Sequence, residues 1–141
     1  MDVQDKVVPL RDRVPDSEKV TINLGYVDLG RIDLLVQEGF FSNRTDFIRT
    51  AIRNQLRSQS EEVSRSIDRH MLEVGLLELG VERLEAARAA GETLQVRVVG
   101  LVRIAAEVTP ELALRTIGSL TVLGALQASP AIKSALAGRI R

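Results

Sequence analysis

The 141-residue sequence contains no cysteine, which excludes disulfides, a thiolate metal site and a cysteine nucleophile, and suits a reducing cytoplasm. Its single histidine, His70, has no clustered partners, so a zinc or nickel site is not expected. No run of about 18 apolar residues occurs, and no membrane span is expected. The stretch from Met1 to Val8 is charged and lacks an apolar core, so no secretory signal is expected either. Gly75 and Gly80 lack the spacing and lysine of a phosphate loop. Ser64 and Ser66 lie near His70 in sequence, yet nothing resembles a nucleophile elbow or an ordered triad. Pairs such as Glu61 and Glu62 read as solvated helix charges. These absences leave no expected enzyme, cofactor or metal. An excess of one charge is missing too: 19 basic and 19 acidic residues cancel. That balance argues against an all-over electrostatic binder of nucleic acid, but not against a groove reader whose positive charge is local.

What is present is a hydrophobic content of 45% with 27% charged residues, which fits one or two small soluble globular domains. Residues 18–56 organise the rest. Val20, Ile22 and Leu24 alternate with Lys19, Thr21 and Asn23, and a period of two puts the two sets on opposite faces of a strand. Leu29, Ile32, Leu35 and Val36 follow at helical spacing, and Gly39 is placed to stop that helix. Asn43-Arg44-Thr45-Asp46 is a capping box in its Asn/Asp variant: Asn43 would accept from the Asp46 amide, and Asp46 would reach back to the cap. The helix it starts carries Phe47, Ile48, Ala51, Ile52 and Leu56 inward and Arg49, Arg53 and Arg57 outward. A lone strand cannot satisfy its own backbone, and about 40 residues bury too little surface to fold alone. Two copies with antiparallel strands and interlocked helices remove both problems.

This segment resembles the ribbon-helix-helix family of DNA-binding proteins, the CopG/Arc/MetJ type. The resemblance rests on Val20-Thr21-Ile22-Asn23-Leu24 and on the run from Gly39 to Arg53, GFFSNRTDFIRTAIR. Asn43 stands where the family more often has Ser, and Asp46 where it more often has Glu; both swaps keep the capping chemistry. The resemblance implies a homodimer whose two-stranded ribbon enters the major groove of double-stranded operator DNA. Lys19, Thr21 and Asn23 would then contact bases, since an amide and a hydroxyl can read base edges. Asn43, Arg44 and Thr45 would meet flanking phosphates at the helix N-terminus. The dimer core would hold Val20, Ile22, Leu24, Ile32, Ile48 and Ile52. Arg49 and Arg53 read as a solvated face or salt-bridge partners before they read as base contacts. A clear salt dependence of binding is expected.

Outside this segment, residues 1–17 read as a flexible arm in which Arg11 and Arg13 sit beside Asp12 and Asp16. Residues 58–92 read as a helical connector. Val63, Ile67, Met71 and Val74 predict a helix running to Gly75, and Val81 to Ala90 a second, ended by Gly91. Residues 93–141 hold an internal repeat: Val98-Val99-Gly100-Leu101-Val102-Arg103-Ile104 aligns with Val122-Leu123-Gly124-Ala125-Leu126-Gln127-Ala128. Each copy precedes a helix start with a hydroxyl cap and proline, Thr109-Pro110 and Ser129-Pro130. Two such units are too few for a solenoid, so the sheet is expected to be completed by a partner chain or by Leu94-Gln95-Val96.

The expected fold is α+β: an intertwined N-terminal ribbon-helix-helix dimer over 18–57, the connector, and a C-terminal α/β module of two β-turn-α repeats that oligomerises or senses. The expected function is that of a cytoplasmic, sequence-specific transcriptional repressor. Two alternatives stay open. One is a DNA-associated assembly protein that polymerises through its C-terminal repeats. The other is an antitoxin.

Overall fold

The computed structural model describes residues 17–141; Arg11 and Arg13, with all but the last residue of the N-terminal arm, lie outside the described residues. The chain divides into two compact units, Met1–Ser58 and Gln59–Arg141.

In the first unit, residues 18–25 carry no regular secondary structure. The expected strand is therefore not formed in a single chain, where its backbone has nothing to pair with. α1 (Tyr26–Gln37) ends in a left-handed Gly39, whose amide donates to the Val36 carbonyl while that of Phe40 donates to Leu35. A side chain at this positive φ would be strained, which explains the glycine. α2 (Arg44–Ser58) follows, and an edge-on contact between Phe41 and Phe47, with ring centres 5.0 Å apart, braces its start.

The second unit opens with α3 (Ser60–His70), which Met71 closes in a left-handed conformation. This corrects the expected helix through Val74: β1 (Glu73–Leu79) begins there instead. Residues 58–92 are thus not wholly helical. α4 (Val81–Ala90) and its Gly91 cap lie where the sequence puts them. β2 (Leu94–Ile104), α5 (Pro110–Thr116), β3 (Ile117–Gln127) and α6 (Pro130–Ala135) complete the unit. Thr109 and Ser129 cap α5 and α6, each hydroxyl accepting from the amide three residues on at 3.2 Å.

The three strands form a parallel sheet in the order β1-β2-β3. The third strand is therefore β1, neither a partner chain nor Leu94-Gln95-Val96, which starts β2 itself. Register aligns Gly75, Gly100 and Gly124 in one row, at intervals of 25 and 24 residues. All three have positive φ. A Cβ on Gly100 would stand 2.1 Å from the Gly75 carbonyl oxygen, and one on Gly124 2.0 Å from that of Gly100. No side chain fits either position, because the neighbouring backbone already fills the space.

Period-two alternation sends Val96, Val98, Val102 and Ile104 of β2 to one face, where they are buried with Leu84 of α4, Leu112 and Ala113 of α5, and Ile132 of α6. Thr116, the one buried polar residue among those described, donates its hydroxyl to the Leu112 carbonyl at 2.7 Å. On the opposite face Val74, Leu76 and Leu123 stay exposed. A polar row borders them: Arg103 donates to Gln127 at 2.9 Å and lies 3.6 Å from Glu78.

Candidate nucleic-acid interface

Lys19, Thr21 and Asn23 are all exposed, and so are the apolar residues that alternate with them: Val20 is 76% and Ile22 57% exposed. Of the expected dimer core, the protomer buries Ile32 alone. Ile48 is half-buried, Leu24 and Ile52 are exposed, and in a single chain these residues do not close into a core. They line a cleft of about 410 Å³ instead, in which Ile22, Leu24 and Ile32 face Phe47, Ile48 and Ile52. Its walls come from the segment before α1, from α1 and from α2.

The start of α2 is built by reciprocal capping. Asn43 Oδ1 accepts from the Asp46 amide at 2.8 Å, as the sequence leads one to expect. Asp46 reaches back one residue further than expected: its Oδ2 accepts from the Ser42 amide at 2.9 Å, not from Asn43. The amides of Arg44 and Thr45 occupy the first turn, where helix geometry provides no internal acceptor. Two free amides at a positive helix end suit an anion.

The Arg44 side chain is differently employed. Its Nε and Nη2 donate to the two carboxylate oxygens of Asp33 on α1, each at 2.8 Å. This two-pronged hydrogen bond holds the Asp33 carboxyl below the usual carboxylate range and raises the Arg44 guanidinium in return. Arg44 therefore braces α1 against α2 through its side chain, while the phosphate contact expected at residues 43–45 concerns the backbone amides of the helix start. Nothing in the local sequence announced the pair, since 11 residues separate the partners across the turn between the helices. Arg49 and Arg53 are exposed on α2.

Elsewhere the described residues hold no group of three or more His, Cys, Asp or Glu side chains placed to bind a metal ion. His70 is exposed at the end of α3. No helix among the described residues is long and apolar enough to cross a membrane. In the second unit a cleft of about 390 Å³ opens between Glu73, Leu77, Arg83 and Arg97.

Comparison with known proteins adds one match. Residues 15–133 match the ribbon-helix-helix transcriptional regulator family. No curated protein and no solved structure matches the chain. The match runs far beyond the segment 18–57 that carries the sequence resemblance, through α3, the whole sheet and into α6. Regulators of this kind bind DNA and typically dimerise. With the family match spanning most of its length, the chain belongs to the ribbon-helix-helix transcriptional regulators.

Proposed function

We propose that two copies of this chain pair residues 18–24 as an antiparallel ribbon, insert it into the major groove of operator DNA, and repress transcription there. The observation that carries this reading is the unclosed cleft of the N-terminal unit. Val20, Ile22 and Leu24 are exposed beside half-buried Phe47 and Ile48, and a second copy supplies the missing wall. Pairing the strands buries that row and turns Lys19, Thr21 and Asn23 of both copies to the bases. The capped start of α2 then offers the Arg44 and Thr45 amides to flanking phosphates, with Asn43 holding the turn.

Asn23→Ala tests the reading. On DNA from upstream of the chain's own gene it weakens binding by about 1–3 kcal/mol, the scale of one good base contact. Binding to random DNA changes little. An equal loss on both sequences removes Asn23 from base reading.

The exposed face of the sheet favours a second reading, in which the C-terminal unit assembles into larger structures and the ribbon anchors them to DNA. Mass by light scattering separates the two: a regulator stops at a discrete size, and an assembly protein grows with concentration. The antitoxin alternative draws no support from the C-terminal unit, which has its own core where such tails are disordered until bound.

A further inference from the structure

The two edges of the sheet are treated differently. On β3, Leu120 donates its amide to the Arg139 carbonyl and accepts from the Arg141 amide, both at 2.8 Å. The Arg139 guanidinium fastens this cap by donating to the carbonyls of Leu114 and Ile117. β1 pairs with β2 alone among the described residues, so its outer edge keeps unpaired amides and carbonyls.

Free edges are normally guarded by charge, proline, a bulge or a covering loop. The middle of β1 has none of these. Val74 is 69% and Leu76 55% exposed, and Glu78 is drawn toward Arg103. Gly75 adds an independent sign. It has the positive φ of the row, yet a Cβ there would meet nothing within 4 Å, whereas Gly100 and Gly124 each face the carbonyl of the preceding strand. Gly75 thus repeats the positive φ of the row while its outer side is open.

We infer that the outer edge of β1 pairs antiparallel with the β1 edge of a second copy, joining two sheets into one across a two-fold axis. The inference rests on the dimer reading above, because paired N-terminal strands bring two C-terminal units into one particle and raise their effective concentration. Like-on-like pairing closes on itself, whereas stacking β1 onto β3 of the next copy leaves a free edge at each end of a growing array. Pairing centred on Leu76 sets Leu76 against Leu76 and Glu73 against Leu79. No carboxylate then faces another.

Because the chain has no cysteine, single cysteines report proximity cleanly. Full-length Leu76→Cys, Val74→Cys and their mixture cover the central registers; Leu123→Cys, on the same face but at the far strand, is the control. Mild oxidation without DNA should convert most of at least one β1 sample to covalent dimer and leave Leu123→Cys largely monomeric on a non-reducing gel. Failure of all the β1 samples, or equal cross-linking of Leu123→Cys, overturns the inference. Thr21→Cys reads the N-terminal ribbon separately. Cross-linking at Thr21 without cross-linking on β1 leaves the ribbon reading standing and removes this one; the reverse result does the opposite.

Discussion

The two units of this chain solve the burial problem in opposite ways. Ile32 is the one buried apolar side chain described in the N-terminal unit; all the others lie between Leu79 and Leu136. The C-terminal unit stacks three strands under three helices and closes a core from its own residues. The N-terminal unit spends its apolar residues on an open cleft and an unpaired segment. On the dimer reading proposed above, the fold of such a unit is coupled to partner concentration.

That contrast can be broken from either side. The largest effect belongs to Ile22→Asp, which places an unpaired carboxylate in the proposed dimer core at a cost of about 3–5 kcal/mol. Hydrogen exchange should show α1 and α2 losing protection while β2 keeps it. Equal loss in both units would show that they share one cooperative fold. Leu120→Ala, at a fully buried site, should destabilise the C-terminal unit by about 2–5 kcal/mol and leave in place the DNA binding proposed for the N-terminal unit. Calorimetry and a binding titration check the two halves of that statement. Asn43→Ala removes the cap of α2 and costs about 1 kcal/mol in a denaturant titration.

The smallest effect is one of pH. The Asp33 carboxyl is depressed by its hydrogen bonds from Arg44, so the pair's contribution is present above the ordinary carboxylate value of 3.8 and is lost as pH falls through the lower folded value. Both groups are exposed, which keeps the contribution small. An NMR titration of Asp33 should therefore show a midpoint below that of the same carboxyl in Arg44→Ala.

Helix boundaries set by local chemistry were readable from the sequence. Gly39, Asn43, Gly91, Thr109 and Ser129 act through atoms within a few residues, and each sits at a helix end. The strand β1 is masked in the sequence because Val63, Ile67, Met71 and Val74 keep a helical spacing across the break at Met71. A signal was available: Val74-Gly75-Leu76-Leu77-Glu78-Leu79 has the pattern of Val99 to Ile104, 25 residues earlier. The Asp33–Arg44 pair gave no such signal, since it depends on how two helices meet. The row proposed to contact bases, Lys19, Thr21 and Asn23, is legible as alternation and its side chains are exposed, but residues 18–25 form no strand in a single chain.

The glycine row also bears on how the sheet reaches its register. Hydrophobic alternation alone would tolerate a strand shifted by two residues, because the same face would still point inward. The glycines remove that freedom. A two-residue slip of β3 would set Val122 or Leu126 where Gly124 stands, with a Cβ driven against the Gly100 carbonyl. The connecting loops and helices differ in length between repeats, so they cannot count residues for the strands. The row does the counting: only the register that brings glycine beside glycine leaves room for the neighbouring backbone.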